Sequence, residues 1–226
     1  MSSIARRIAQ AAALAVVVLA SGCATKTPGL DYTAFQNAKP ATLLVMPPLN
    51  DSPDVKGSPA VWAHATQPLA EAGYYVLPVT LVDETFRQNG VNTAHDAQSL
   101  PLTKLREVFG ADAAVYIHIK KYGSSYQVVA SDVTIEVEAR LVDLRNGALL
   151  WQGSARASSD EQRQQNQGGL VGLLVTAIIQ QVINTTADTS FNFAGIANAR
   201  LLGAPRYNGV LPGPRSPHFG KPPLTQ

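Results

Sequence analysis

The sequence predicts an α/β fold: a mixed sheet with parallel amino-terminal strands, a carboxy-terminal antiparallel meander, and helices packed on it. Three observations carry this. Thr42-Leu43-Leu44-Val45-Met46 is a continuous apolar run ended by Pro47-Pro48, the pattern of a central strand covered on both faces. Val133 to Asp143 alternates strictly, with Val133, Ile135, Val137, Ala139 and Leu141 on one face and Thr134, Glu136, Glu138 and Arg140 on the other, which suits a strand wet on one side. Between these stretches lie segments with helix stop signals, Gly73, Asn89-Gly90 and Gly110.

The elements follow in order. Ser58-Pro59 reads as an N-cap and first-turn proline for a helix running to about Ala72, with Pro68 inside it and Gly73 as its end. Trp62 on that helix reads as packing. Tyr74 to Pro78 reads as a second strand, and Thr80 as the cap of a helix over Leu81 to Gln88. A polar stretch containing His95 and Asp96 precedes a short helix near Pro101 to Phe109. Ala113 to Lys121 alternates, with Tyr116, His118 and Lys120 opposite Val115, Ile117 and Ile119. After Gly123-Ser124-Ser125 comes the strand ending at Asp143, and Asn146-Gly147 is a hairpin turn leading to Leu149, Trp151 and Gly153. A polar, glutamine-rich loop spans Asp160 to Gln167. Leu170 to Ile183 reads as a largely buried helix with a narrow polar stripe at Gly172, Thr176, Gln180 and Asn184. From Thr189 onward there is no acidic residue, and six prolines lie between Pro205 and Pro223. That composition predicts a non-helical, basic tail.

The amino terminus sets the address. Arg6 and Arg7 precede an apolar run from Ala11 to Ala20, then Leu19-Ala20-Ser21-Gly22 leads into Cys23, the one cysteine of the chain. These are the three parts of a secretory signal, with the cleavage region ending on a thiol. The pattern resembles the lipobox of bacterial lipoproteins, in which that cysteine receives a diacylglyceryl group, the chain is cut before it and the new amino terminus is acylated. The apolar run is shorter than the roughly 20 residues a spanning helix needs. The resulting organisation is a signal peptide over 1–22, a lipidated tether over 23–40, an α/β domain over 41–190 and a proline-rich basic tail over 191–226. Ala24 after the lipidated position fits the outer membrane under the sorting rule of enteric bacteria, where Asp there retains lipoproteins at the inner membrane.

Composition narrows the function. The net charge of +2 rests on Arg6 and Arg7, so the mature chain is neutral and offers no nucleic-acid surface. With Cys23 acylated, neither a disulfide nor a catalytic thiol remains. The polar loop Asn50-Asp51-Ser52-Pro53-Asp54 follows the first strand, at the sheet edge where α/β proteins often bind ligands; those residue types also simply make turns, and no glycine-rich phosphate loop accompanies them. His118 faces Glu136 or Glu138 across strands, as a charge pair or as an acid/base or metal site; no second histidine lies at ligand spacing. The chain lacks a nucleophile elbow, a zinc motif and a serine-triad signature.

Four stretches carry a family resemblance: Leu44 to Ser52, Pro68 to Val76, Leu105 to Ala113 and Gly213 to Pro217. They resemble the bacterial lipoproteins typified by a meningococcal genome-derived antigen. The resemblance covers nearly all of the mature chain and implies a fold similar to the amino-terminal domain of TolB, related to CsgG, a secretion lipoprotein, and LpoB, an activator of a peptidoglycan synthase. Members carry no assigned catalytic residues. The resemblance implies an accessory role in an envelope assembly beside a CsgG-like lipoprotein, with a homo-oligomer as one arrangement and no cofactor beyond the lipid on Cys23. The expected partner surfaces are the loop (Asn50, Asp51, Ser52, Asp54), the wet sheet face (Glu136, Glu138, Arg140) and the tail (Arg215). The alternatives are a regulator or glycan-binding sensor of the LpoB type, or an envelope hydrolase using Asp51 and Asp54.

Overall fold

The computed structural model describes residues 29–126, 131–161 and 189–224. The signal 1–22, Cys23, the tether up to residue 28 and the helix expected over 170–183 lie outside the described residues. The chain from Leu30 to Thr225 forms one compact unit. Its elements are α1 (Thr33–Ala38), β1 (Thr42–Val45), β2 (Leu49–Asn50), α2 (Gly57–Glu71), β3 (Tyr75–Val76), α3 (Val79–Gln88), α4 (Ala94–Ser99), α5 (Leu102–Phe109), β4 (Ala113–Lys121), β5 (Ser124–Tyr126), β6 (Ser131–Asp143), β7 (Leu149–Ser158) and α6 (Thr189–Leu202).

The sheet is mixed, as the sequence predicts. β1 pairs in parallel with β3 on one side and β4 on the other. β2 also pairs in parallel with β4, so β1 and β2 are two pieces of one line interrupted by Pro47-Pro48. The interruption is chemical: proline has no N–H to give the ladder. β6 then pairs antiparallel with β4 and with β7. β5 continues the line of β4 past Gly123 and pairs with the start of β6.

The two faces of the sheet are covered unequally. On one face, Leu43, Val45, Val115, Ile117, Ile119, Ile135, Val137 and Leu141 pack with α2 (Val61, Ala65, Leu69) and α6 (Phe193, Ala194, Ala197, Leu201). On the other, Leu44, Met46, Ala114 and Tyr116 meet Val82 and Phe86 of α3, Ala97 of α4 and Leu105 of α5. β1 is therefore sandwiched, which is why its sequence is apolar and buried from Leu43 to Val45. Beyond Tyr116 no further helix among the described residues covers this face, and β4, β6 and β7 alternate apolar and polar.

Several boundaries differ from expectation. The tether is not a spacer up to residue 40: α1 lies within it, and Tyr32 and Phe35 are buried. The segment after Thr189 is not irregular: α6 runs for 14 residues with Ser190, Phe193, Ala194, Ala197, Asn198, Leu201 and Leu202 buried. Its composition contains no acid, but its small and apolar residues recur at three- and four-residue spacing, which is what a buried helix needs. Ser58 is not an N-cap; the helix starts at Gly57, and Ser58 Oγ donates to the Pro48 carbonyl at 2.8 Å. Thr80 is likewise inside α3, which begins at Val79 after Pro78 without a side-chain cap. The polar stretch around His95 is a helix, α4, capped by Thr93, whose hydroxyl accepts from the Asp96 N–H. Ser124-Ser125 belong to a short strand and not to a turn. The end of α5 is as expected: Gly110 takes the left-handed conformation at φ +64°.

Candidate functional site

The proline break between β1 and β2 builds one side of the site. Three side chains bond the carbonyls around it. Trp62 Nε1 donates to the Val45 oxygen at 2.9 Å, Gln98 Nε2 to the Pro47 oxygen at 2.8 Å and Ser58 Oγ to the Pro48 oxygen at 2.8 Å. Each satisfies an acceptor that the interrupted ladder leaves over. The chain resumes pairing at Leu49 opposite His118 and Asn50 opposite Ile119.

The loop that follows is held largely by its own side chains. Asn50 Oδ1 accepts from the Ser52 N–H at 3.0 Å and from its hydroxyl at 2.7 Å, while Asn50 Nδ2 donates to the Asp54 carbonyl at 2.8 Å. Asp54 Oδ1 accepts from the Lys56 N–H at 2.9 Å. Asn50, Ser52 and Asp54 thus act as turn residues. Gly57 closes the loop: a Cβ there would stand 3.0 Å from Asn50 Nδ2 and 3.1 Å from the Tyr122 ring.

Asp51 points elsewhere. Its backbone N–H still bonds the Ile119 carbonyl at 2.9 Å, which sets its carboxylate over β4. Oδ1 lies 2.7 Å from His118 Nε2 and Oδ2 lies 2.5 Å from Lys120 Nζ. Hydrogen bonds from Lys120 and then His118 hold the Asp51 carboxyl below the usual carboxylate range, and Asp51 in turn holds the Lys120 ammonium above its own. His118 stands opposite Glu138 in the register, but its side-chain partner is Asp51. The expected pairing of His118 with Glu136 or Glu138 is therefore corrected, because the β2–β4 contact brings a carboxylate over the sheet that no local pattern reveals. Glu136 is paired instead with Lys121, at 3.0 Å across a β4 bulge.

These groups border a groove on the antiparallel part of the sheet, about 510 Å3 in volume and lined by Gln98, Tyr116, His118, Glu138, Arg140, Gln152 and Ser154 among others. The register explains the set. Tyr116, Arg140 and Gln152 form one cross-strand row, and His118, Glu138 and Ser154 the next. Arg140 lies over the Tyr116 ring, 4.8 Å from its centre, and burial pushes the Tyr116 hydroxyl pKa up. The face is polar, open and of mixed charge. Among the described residues no group of three or more His, Cys, Asp or Glu side chains is placed to hold a metal ion.

The expected site residues divide into three. Asn50, Asp51, Ser52, Asp54, Glu138 and Arg140 gather at one end of the sheet, with Glu136 one row further along β6. Arg215 lies apart, its guanidinium 5.6 Å from the centre of the exposed Tyr75 ring beside the edge strand β3. Cys23 lies outside the described residues. His118, Lys120, Tyr116, Gln98 and Gln152 were not singled out as a group by sequence; the shared face of Tyr116, His118 and Lys120 on β4 was the available signal.

The class defined here is a small α/β domain with helices on both faces of its parallel half and, among the described residues, a charged face without a helix on its antiparallel half. Among the described residues no helix is long and apolar enough to cross a membrane. The chain belongs to the GNA1162-like lipoprotein family: the model described as "Putative lipoprotein GNA1162-like" matches residues 30–215. It is 46% identical over 203 residues to "Putative lipoprotein NMB1124/NMB1162" of Neisseria meningitidis serogroup B (strain ATCC BAA-335 / MC58), covering 89% of this chain and 94% of that one. The crystal structure of lipoprotein GNA1162 from Neisseria meningitidis is similar at 44% identity and a TM-score of 0.52, over 65% of this chain and all of that one. The LpoB C-terminal domain of Salmonella enterica is more distant, at 17% identity and a TM-score of 0.38, over 51% of this chain and 81% of that chain. The family and the mixed α/β fold expected from the sequence are both borne out.

Proposed function

We propose that this chain is a lipid-anchored, non-enzymatic accessory component of a cell-envelope assembly, held at the periplasmic face of the outer membrane through an acylated Cys23. The observation that carries the reading is the sheet face of β4, β6 and β7 that no helix among the described residues covers. Its carboxylates and cations neutralise one another in the open, as Asp51 does with Lys120, which suits recognition of a complementary polar surface. An acid/base catalyst needs instead a group held in a shielded cleft with its proton affinity tuned to the task. The lipoprotein family and the Ser21-Gly22-Cys23 sequence support the anchor. The partner we favour is an envelope protein such as a CsgG-like lipoprotein, with a second copy of this chain as the alternative occupant of the same face. A second reading, a regulator or glycan-binding sensor of the LpoB type, draws on the groove itself, where Tyr116, Arg140 and Gln152 set an aromatic ring beside polar groups.

The test is crosslinked capture of the tagged protein from cells. Native protein should bring down a stoichiometric envelope partner, and Glu138→Lys with Arg140→Glu should lose it while remaining folded and membrane-bound. Retention of the partner by that variant overturns the docking face. Cys23→Ser should abolish both the acyl mass and membrane retention; a Cys23→Ser protein that is still processed and retained overturns the anchor.

A further inference from the structure

A second cavity lies at the other end of the sheet, beside the amino-terminal ends of β1 and β3. It has a volume of about 350 Å3 and is bounded by α1, the loop into β1, Tyr74 and the carboxy-terminal segment. That volume lies within the range of small-molecule sites, about 300–1,000 Å3. Phe35 and Tyr74 are buried beneath it, Leu211 and Pro212 form a wall, and Phe219 stands at the opening, 42% exposed. Tyr74 spends its hydroxyl on the Leu211 carbonyl at 2.5 Å, so the ring turns toward the cavity with no free polar tip.

The rim is charged with one sign. Lys39 and Lys221 both line the cavity, and no acidic residue does. Neither lysine has a carboxylate partner among the described residues; Lys221 Nζ reaches only His218 Nδ1 at 3.4 Å. Lys39 is held in place by its backbone, which adopts the left-handed conformation at φ +44° and caps α1 through its N–H to the Phe35 carbonyl. That backbone conformation, rare for a non-glycine residue, carries a cation to the mouth of an apolar hole. Exposed lysines alone would mean little. An apolar floor of aromatic rings beneath two carboxylate-free ammonium groups defines an amphiphile with one anionic end.

We propose that this cavity binds a single-chain fatty carboxylate, its chain on Phe35, Tyr74, Leu211 and Phe219 and its carboxylate between Lys39 and Lys221. The source argument rests on the lipid-anchor reading: a chain acylated at Cys23 works beside a bilayer, into which single-chain amphiphiles partition. The binding itself does not depend on that reading.

The experiment uses the full chain in nanodiscs of zwitterionic phosphatidylcholine, with empty discs as the blank, and octanoate as the probe against its neutral amide, octanamide. Ligand-observed NMR should show octanoate binding at least about tenfold tighter than octanamide, the worth of one charge-assisted contact. Lys39→Gln with Lys221→Gln should bring octanoate to the level of the amide, and Phe219→Ser should weaken both ligands together. Equal binding of acid and amide by the native chain, no octanoate binding, or a preference that survives in the double lysine variant each overturns the proposal. Capture of the envelope partner should be unchanged in Lys39→Gln/Lys221→Gln, and the mass at Cys23 is read separately, so this site, the docking face and the anchor fail independently.

Discussion

Trp151 and Asn208 are joined across the molecule: the indole Nε1 donates to the Asn208 carbonyl at 3.0 Å. Asn208 Oδ1 also accepts from the Leu30 N–H at 3.0 Å, and Tyr32 Oη donates to the neighbouring Gly209 carbonyl at 2.6 Å. The first and last segments of the folded unit are thus fastened to each other and to the edge strand β7. The segment after α6 is part of the fold, with Val210 buried. Removing everything beyond Leu202 should expose Trp151 and Tyr32 and remove the acceptors of both side chains, at about 0.5–1.5 kcal/mol for each lost hydrogen bond besides the apolar burial forfeited. The truncated protein should melt far below the full chain in a circular-dichroism thermal scan. A truncation with unchanged Tm would refute this account of the tail.

Gly73 meets the same segment from the other side. Its φ is +97°, and a Cβ there would stand 2.8 Å from Ser216 Cβ. The Gly73 carbonyl accepts from the Arg215 N–H at 3.0 Å, so the two backbones cannot move apart freely. Gly73→Ala combines a disfavoured conformation with a clash and should cost about 2–4 kcal/mol by chemical denaturation. Gly90→Ala is the control: φ is +78° there too, but the space around it is open, so only the conformational cost of about 1 kcal/mol remains.

Arg145 neutralises a buried acid. Asp143 is 1% exposed, and its carboxylate accepts from Arg145 Nε at 2.9 Å and from Arg145 Nη2 at 2.5 Å. Those hydrogen bonds hold the Asp143 carboxyl below the usual carboxylate range. Its contribution to stability is therefore present above the unfolded value near pH 4 and is lost as pH falls through the lower, folded value. Arg145→Ala strands the carboxylate and should cost about 3 kcal/mol at pH 7. The strongest hydrogen bonds that lower the Asp143 pKa are then gone while burial still raises it, so the acid transition of the variant should begin at a higher pH than that of the native chain. A pH series of denaturation midpoints checks both statements.

His64 sits in the joint between α2 and α6. Its ring centre is 4.3 Å from that of Phe191, and Nε2 is buried with no hydrogen-bond partner among the described residues. Burial pushes its pKa below the ordinary histidine value of 6.5. The unfolded chain then binds the proton first as pH falls, so the folded state loses stability from about pH 6.5 downward, until the folded value is passed. His64→Phe should remove this part of the pH dependence in denaturant midpoints measured from pH 7.5 to 5.5. An unchanged slope would assign it to other groups.

Much of the fold was legible because it is written in local periodicity. β1 reads as doubly covered, and it is. β4 and β6 read as alternating, and their limits are Ala113–Lys121 and Ser131–Asp143. Asn146-Gly147 reads as a turn, and Gly147 has φ +78°. The misreadings have specific causes. α1 is six residues long and follows Pro28-Gly29, too short for a helical period to declare itself. α6 was hidden by the prolines beyond it, whose composition was extended backward over a helix. The site was legible in its parts and not in its pairing: Asp51 was marked for its loop and His118 for its strand. Their contact follows from β2 pairing in parallel with β4, 67 residues away.

By itself the sequence determined the class of fold, the family and the polar identity of the face that β4, β6 and β7 present. Periodicity records what each segment must bury, and a lone cysteine after small residues is a local signal. Only the tertiary structure decided that Asp51 lies on His118 and Lys120, that the final segment seals the domain, and that two lysines flank an aromatic cavity. Those outcomes depend on which strands and segments become neighbours, a choice made by the packing of distant surfaces, and hydrophobic alternation along the chain carries no record of the partner.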